Sequence, residues 1–273
     1  MENGSIKSYK PIINIFRLGY SGAYLYLKTA GLKKKNLSEK LNNIKKLEEV
    51  SWIATLFGNF DIAIAFRYKS AYDLSIILNK IYSEFNRKIV GKEILLSQKF
   101  IIPALSFEED EKQQFFILES DHGKTIILTQ IQKRILKELF YNARASYSKM
   151  SEKLGISSKT IKKKIFELEK EKVILGYSAI LDYLSLGFLW TSCILKTYPG
   201  TDISSLVEFL KKENRITWIA ISIENGIMFD FLGEDFSSLK DFLNNLKINY
   251  DHKIRDYNLL SIDVTHKFHQ EFS

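Results

Sequence analysis

The chain has 273 residues, of which 45% are hydrophobic and 13% are aromatic, and its net charge is +8. This composition excludes a mainly disordered chain, and the length favours two or three small domains over one. The single cysteine, Cys193, excludes an intrachain disulfide or a cysteine-built zinc site, and no apolar run approaches the ~18 residues that a membrane span needs. With no leader-like segment after Met1, we expect a cytoplasmic protein with no membrane partner.

The first hundred residues contain four short runs rich in β-branched and aromatic side chains, which predict strands. These runs are residues 23–28, 50–57, 60–67 and 88–97. Two amphipathic helices are predicted between them. The first begins at Asn36, with Glu39 three residues later in a capping-box pattern, and the second begins at Ser70. The order βαββαβ predicts a ferredoxin-like (RAM/ACT-like) domain over residues 8–106, with both helices on one sheet face.

Residues 107–127 form a predicted connector. It opens with the acidic stretch FEEDEKQQ, in which Glu108, Glu109 and Asp110 are interpreted as solvated charge. The following FFILESDHGKTIILT alternates on both sides of Asp121 and Gly123, and this pattern predicts a β-hairpin.

From residue 130 the apolar period becomes helical, and three short helices are predicted over residues 128–176. The first has an apolar stripe at Ile131, Ile135, Leu136 and Leu139. Ser146 is the predicted N-cap of the second helix, Gly155 ends it, and Ser157 caps the third. Three helices with a glycine turn before the last one indicate a helix-turn-helix, winged-helix-like DNA-binding domain.

The third helix separates an apolar face from a basic one. Ile161, Ile165 and Leu168 fall within one arc of ~60°, and we expect that arc to face the core. The candidate DNA-binding residues on the remaining surface are Ser158, Lys159, Thr160, Lys162, Lys163 and Lys164. Phe166 lies on the same outward side, and we expect a neighbouring element to cover it.

The location of the charge supports double-stranded DNA as a partner. Residues 129–175 hold twelve basic and five acidic residues, so this segment carries +7 of the net charge of +8. A lysine run is often only a solvated helix face. Because this run lies on the last helix of a helix-turn-helix, neutralisation of backbone phosphates is the favoured interpretation.

The chain contains an internal repeat. LGYSGAYLYLKT from Leu18 is matched by LGFLWTSCILKT from Leu186, and SWIATLFGNFDIAIAF from Ser51 by TWIAISIENGIMFDFL from Thr217. A unit of ~90 residues therefore occurs twice, and residues 177–273 are predicted to form a second βαββαβ domain. Since each four-stranded sheet leaves one face uncovered, we expect two units to pair, within the chain or in a homodimer or higher oligomer.

Residues 128–188 resemble the Lrp/AsnC family of prokaryotic transcription regulators. The resemblance is carried by Ile131-x-x-x-Ile135-Leu136, Asn142-Ala143-Arg144, Leu154-Gly155-Ile156-Ser157, Ile165-x-x-Leu168-Glu169, Val173-Ile174 and Gly176-Tyr177. It implies an α+β fold in which a helix-turn-helix works with βαββαβ ligand-binding and oligomerisation domains. The whole chain is similar to a tandem archaeal version, with the first helix-turn-helix expected of such a protein missing before residues 9–20.

Departures from the family pattern bear on a small-molecule effector. The family's usual Gly before Val-Ile is Lys172, and its Arg before Ile165 is Lys164. The Gly-x-aromatic-Asp turn, which resembles part of the family's amino-acid effector site, is present only once, as Gly58 to Asp61. The resemblance thus implies an effector, such as an amino acid, at Gly58 and Asp61. A structural role, with Gly58 in a tight turn that Asp61 caps, remains open.

No pattern in the sequence favours catalysis, so we expect neither an enzyme nor a cofactor. His266 and His269 have metal-ligand spacing but lack nearby cysteines, and no phosphate-binding glycine loop or nucleophile elbow occurs. Two alternatives to a DNA-binding regulator stay open. One is an enzyme resembling the sirohaem decarboxylases, which share the Lrp-like architecture; the other is an interaction partner that modulates full-length paralogues.

Overall fold

The computed structural model of the chain describes residues 6–31, 34–104, 114–119 and 125–268. The chain starts with strand β1 (Ile6–Ile13) and a short 3-10 turn (Ile15–Leu18). The first repeat unit then comprises β2 (Ser21–Thr29), α1 (Lys34–Lys45), β3 (Val50–Phe57), β4 (Ile62–Tyr68), α2 (Ala71–Phe85) and β5 (Ile89–Pro103). The predicted βαββαβ order of this unit is confirmed.

The two predicted helix starts in this unit have different outcomes. Ser70 is the N-cap of α2, where its hydroxyl accepts a hydrogen bond from the backbone N–H of Asp73 at 3.1 Å. The predicted start of α1 at Asn36 is wrong, because the helix begins at Lys34. Lysine is a good helix former, so the two lysines before Asn36 extend the helix instead of leaving that residue as its cap.

The middle of the chain contains β6 (Phe115–Glu119), α3 (Gln130–Tyr141), α4 (Tyr147–Leu154), α5 (Ser158–Lys170) and β7 (Ile174–Leu181). Glu108, Glu109, Asp110 and the turn at Asp121, His122 and Gly123 lie outside the described residues. The predicted hairpin is wrong, because residues 125–129 form no strand. Instead β6 pairs with the far end of the 15-residue strand β5, from Lys99 opposite Glu119 to Pro103 opposite Phe115.

The second repeat unit comprises β8 (Leu189–Thr197), α6 (Ser204–Lys211), β9 (Ile216–Ser222), β10 (Ile227–Gly233), α7 (Phe236–Tyr250) and β11 (Ile254–Phe268). Its element order repeats that of the first unit, as the internal sequence repeat predicts. In both units the first strand lies between the third and fourth strands of the unit.

The two sheets join at both edges into a closed antiparallel barrel of eight strands. Its strand order is β2-β4-β3-β11-β8-β10-β9-β5, and β5 returns to pair with β2. The junctions between the units are β3 with β11 and β5 with β9. The expected pairing of two units is therefore realised within one chain.

Successive side chains along each strand point alternately to the outside and the inside of the barrel. Outward-facing residues such as Leu25 and Ile64 pack under α1 and α2, while Phe229 and Phe231 pack under α6 and α7. Inward-facing residues of both units share one cluster with the apolar residues of α3, α4 and α5. The helical domain therefore packs as part of the same body as the barrel interior.

An antiparallel ribbon attaches the helix-turn-helix to the barrel. Strand β1 pairs with β7 from Ile6 opposite Leu181 to Ile13 opposite Ile174, and the Asn14 N–H donates to the Val173 carbonyl at 2.9 Å. The sequence places residues 8–13 in the first βαββαβ unit, whereas here they lie beside the strand that follows α5. Together with α3, α4 and α5 this ribbon forms a winged helix-turn-helix.

Candidate functional site

The turn between α4 and α5 is fixed by local capping. Ser146 and Ser157 accept hydrogen bonds from the backbone N–H groups of Lys149 at 3.3 Å and Thr160 at 3.1 Å, so both predicted N-caps are confirmed. Gly155 ends α4 with φ of 65°, a left-handed conformation that glycine adopts without steric cost. These contacts set the direction in which α5 leaves the turn.

Helix α5 turns its apolar side to the core and its basic side to solvent. Ile161, Ile165 and Leu168 are buried, as predicted. Lys159, Lys162 and Lys163, which we call the lysine face, are exposed. Within the described part of the chain no carboxylate lies within 4.0 Å of their ammonium groups. The lysine face is therefore open to an anionic partner.

The other three candidate DNA-binding residues are already engaged in the protein. Lys164 is half-buried and forms an ion pair with Glu167 at 2.7 Å. The Ser158 hydroxyl donates to the Tyr147 carbonyl at 3.3 Å, and the Thr160 hydroxyl lies 2.8 Å from that of Ser157. The assignment of all six residues to DNA contact stays a prediction, and the structure divides them into three open cations and three tethered side chains.

Two further positions on this domain depart from expectation or from the family pattern. Phe166 is 64% exposed, so the prediction that a neighbouring element covers it is wrong for the single chain. Lys172, which stands where the family carries Gly, has φ of 54°. A non-glycine residue pays about 1–2 kcal/mol for that conformation, which explains why glycine suits the position.

The predicted effector residues lie in the turn between β3 and β4. Gly58 has φ of 139°, and a Cβ atom there would lie 2.8 Å from the Leu259 carbonyl oxygen of the second unit. Asp61 accepts hydrogen bonds from the Thr29 backbone N–H at 2.6 Å and the Thr29 hydroxyl at 3.0 Å, and Lys28 lies 3.4 Å away. Both residues therefore have a structural role, and their contact with an effector stays a prediction.

Replacing Asp61 with Ala is expected to lower the free energy of unfolding by about 1–3 kcal/mol, because the Thr29 N–H loses its acceptor. Urea denaturation of the variant would measure this loss. Asp241, which is exposed on α7 and makes no hydrogen bond or ion pair with the described residues, offers a matched control as Asp241→Ala, with an expected change within about 0.5 kcal/mol. Equal stability of the Asp61 variant and the wild type would show that this carboxylate does not hold the turn.

The barrel encloses a cavity that the sequence analysis missed. Its volume is about 630 Å³, within the ~300–1,000 Å³ range of small-molecule sites. The β1–β7 ribbon covers one end of it through residues of both strands. The cavity lining includes the aromatic residues Tyr24, Tyr26, Trp52, Phe140, Tyr183, Trp190, Trp218 and Phe268.

One acidic side chain, Asp230, lies in this aromatic wall. It stands opposite Ser192 and Trp218 on the neighbouring strands, and the Ser192 hydroxyl donates a hydrogen bond to its carboxylate. Burial raises the pKa of Asp230 to about 6, and the Ser192 hydroxyl and the Trp190 indole N–H offset part of that rise by favouring the charged carboxylate. The sequence does contain a signal for this site. In the strand IMFDFLG, Asp230 occupies an inward-facing position between the inward-facing Met228 and Leu232.

The remaining sequence candidates form no site in the described residues. His266 lies 3.3 Å from the Thr55 hydroxyl, and burial lowers the pKa of its imidazole, whereas His269 lies outside the described part of the chain. Within the described ranges, no group of three His, Cys, Asp or Glu side chains could hold a metal ion. In the same ranges, the helices are too short or too polar to cross a membrane.

Comparison with known proteins agrees with the sequence resemblance. Residues 128–174 match the family described as winged helix-turn-helix DNA-binding. An uncharacterized HTH-type transcriptional regulator of Pyrococcus furiosus is 32% identical over 127 residues, covering 45% of this chain and 82% of that protein. The leucine-responsive regulatory protein of Rhizobium meliloti is 28% identical over 122 residues, covering 42% of this chain and 77% of its own length.

Solved structures extend the likeness to the whole fold. The siroheme decarboxylase NirDL has a TM-score of 0.67 at 14% identity, covering 100% of this chain and 81% of its own. Its co-complex with an iron-uroporphyrin III analogue has a TM-score of 0.66. At this identity the likeness establishes the tandem architecture, while the regulators establish the family. The chain belongs to the Lrp/AsnC-type family of helix-turn-helix regulators.

Proposed function

We propose that the chain is a sequence-specific DNA-binding transcription regulator and not an enzyme. The observation that carries this proposal is the lysine face of α5. Three cations lie exposed on the third helix of a winged helix-turn-helix, and no acidic side chain among the described residues neutralises them. Such a helix enters the major groove with its first turns, where lysines reach phosphates and base edges.

The three tethered side chains of α5, Ser158, Thr160 and Lys164, can still contact DNA beside the lysine face. A hydroxyl has one donor and two acceptor sites, so the Ser158 hydroxyl keeps its acceptor sites after donating to Tyr147. The Lys164 ion pair with Glu167 keeps that ammonium group at the flank of the helix. Phosphate contact then falls to the lysine face, and base reading to the hydroxyls of Ser158 and Thr160 in the first turn of the helix.

The described residues of one chain contain one helix-turn-helix, so we expect that recognition of a two-fold symmetric site requires two chains. Barrel closure within the chain already covers the inner faces of both sheets. We propose that a homodimer or higher oligomer forms through the outer surfaces of the βαββαβ domains and presents two α5 helices. Half-sites would then lie one helical turn of DNA, about 10 base pairs, or a multiple of it apart.

Selection of bound duplexes from a random DNA library tests the proposal. We expect the full chain to enrich an inverted repeat with that spacing. A single enriched half-site would retain DNA recognition and contradict the symmetric assembly. If repeated rounds left the library random while a known helix-turn-helix protein enriched its own operator in parallel, sequence-specific binding by this chain would be refuted.

An amino-acid effector at Gly58 and Asp61 belongs to the same proposal. The effector site is supported by the Gly-x-aromatic-Asp turn of the family, which the first unit retains. The hydrogen bonds from Thr29 to Asp61 compete with binding of an effector by this carboxylate. Calorimetry across the amino acids tests the site. Binding that is kept by a folded Asp61→Ala variant would remove Asp61 from it, and no heat from any amino acid would remove the effector site itself.

A second candidate function is chemistry on a tetrapyrrole inside the barrel. The full-length likeness to NirDL and the interior cavity favour it. Tetrapyrroles such as uroporphyrin carry several carboxylates, whereas the lysines among the described cavity residues, Lys7 and Lys10, lie at the ribbon end and Asp230 adds a negative charge. Absorbance titration with iron uroporphyrin separates the candidates: a saturable spectral shift supports the tetrapyrrole, and an unchanged spectrum removes it.

A further inference from the structure

The acid in the barrel cavity lacks a counter-ion within the described residues. Asp230 is the one carboxylate among the described residues that line the cavity, and the groups that favour its charged form, the Ser192 hydroxyl and the Trp190 indole N–H, are both neutral. Lys7 is paired with Asp182 at 2.9 Å. Lys10 donates to the Phe268 carbonyl and lies 5.3 Å from the centre of that ring. Both lysines of the lining are therefore engaged elsewhere.

The aromatic wall around Asp230 suits an organic cation that carries an apolar portion. Trp52 and Trp190 have ring centres 6.3 Å apart, and Tyr24 and Trp218 have centres 5.0 Å apart. Faces of indole and phenol rings attract ammonium groups, most strongly where water is excluded. The indole N–H of Trp52 is buried and has no hydrogen-bond partner within the described structure, so the wall also offers a donor to a ligand.

We infer that the barrel cavity binds a small organic cation, an amine with an apolar or aromatic portion, whose ammonium group pairs with Asp230. The apolar portion lies against the indole rings, and the Trp52 N–H donates to a polar atom of the ligand where one is present. A carboxylate ligand would place a second negative charge beside Asp230. This site lies inside the barrel and apart from the turn of Gly58 and Asp61, and it does not depend on DNA binding by α5.

The phenols and the thiol near Asp230 do not change charge between pH 5 and pH 8. Burial raises the pKa values of the Tyr24, Tyr26 and Tyr183 phenols and of the Cys193 thiol, so all four stay neutral. Of the charged groups, Lys7 is paired with Asp182, Lys10 donates to the Phe268 carbonyl, and Glu93 near Tyr26 is ion-paired with Lys196 at 2.8 Å. The pH dependence of cation binding in this range then reports Asp230.

Phenethylamine is a suitable probe, with 3-phenylpropionate as the anion of similar shape and N-acetylphenethylamine as the neutral analogue. All three tryptophans of the chain line the cavity, so intrinsic fluorescence and calorimetry both report occupancy. We expect saturable binding of the amine alone, weakened about 10-fold or more by Asp230→Asn at pH 7.5. Because the free carboxyl has a pKa of about 6, affinity falls about 10-fold from pH 7.5 to pH 5 in the wild type, and not in the variant.

Glu234→Gln is the matched control, because Glu234 is exposed, follows the same strand and loses the same charge outside the cavity. It should bind the amine as the wild type does. The inference is overturned if phenylpropionate binds as tightly as the amine, or if Asp230→Asn leaves amine binding unchanged. Absence of binding by phenethylamine, tryptamine and cyclohexylmethylamine at millimolar concentration overturns it as well.

Discussion

Replacing Lys159, Lys162 and Lys163 together with Ala is expected to weaken DNA binding about 10²- to 10³-fold at about 0.1 M salt. The three ammonium groups are exposed on α5 and lack acidic partners among the described residues, so each is available to neutralise one phosphate. Each such contact releases condensed counterions, which favours binding most strongly at low salt. Fluorescence anisotropy with a labelled duplex measures the loss.

A matched control separates the position of the charges from their number. Lys35, Lys46 and Lys240 are exposed and lie on or next to helices that cover the barrel. Their joint replacement with Ala removes the same charge from another surface, and we expect a change below about 5-fold, since distant charges are screened by salt. Equal losses of DNA affinity in the two triple variants would mean that the affinity depends only on the net charge of the protein. Circular dichroism and urea denaturation check that both variants fold.

The second large effect concerns stability. Replacing Asp230 with Asn is expected to raise the free energy of unfolding by about 2–3 kcal/mol at pH 7.5. Burial raises the pKa of Asp230 to about 6, whereas in the unfolded chain an aspartate titrates near 3.9. Between these values the folded protein holds more protons than the unfolded chain, so wild-type stability falls as pH rises through this window. Asn keeps an acceptor for the Ser192 hydroxyl without the buried charge.

Urea denaturation of wild type and Asp230→Asn across the range from pH 4 to pH 7.5 tests this expectation. The difference between the two proteins should be small at pH 4 and should grow until about pH 6.5, then remain constant. The exposed control Glu234→Gln should show no such growth. A stabilisation by Asp230→Asn that is the same at every pH, or a destabilisation at pH 7.5, would contradict a buried carboxylate with a raised pKa.

The elements that could be predicted from the sequence carry their signals locally. The strands of both units alternate in polarity, the helix caps at Ser70, Ser146 and Ser157 are short-range hydrogen bonds, and the basic face of α5 follows from helical spacing. The internal repeat also predicted that two units pair. It left open whether they do so within the chain, because the same edges could join two chains.

The features that were missed depend on partners distant in sequence. Strand β1 pairs with β7, about 170 residues away, and nothing within residues 6–13 specifies that partner. The barrel cavity arises where inward side chains of both units fail to fill the interior, and the sequence shows these residues only as ordinary inward-facing aromatics. Asp230 was the one readable signal, a carboxylate at an inward position. For Asp61 the sequence left two roles open, and the contact with Thr29 favours the structural one.

The ionic-strength dependence of DNA affinity tests most directly the claim that α5 meets DNA through its lysine face. The logarithm of the association constant is plotted against the logarithm of salt concentration for the wild type and both triple-lysine variants. Loss of Lys159, Lys162 and Lys163 should reduce the magnitude of the slope by about 3, roughly 0.9 for each phosphate contact, while loss of Lys35, Lys46 and Lys240 should leave it unchanged. An unchanged slope in the α5 variant would show that another surface of the protein holds the DNA.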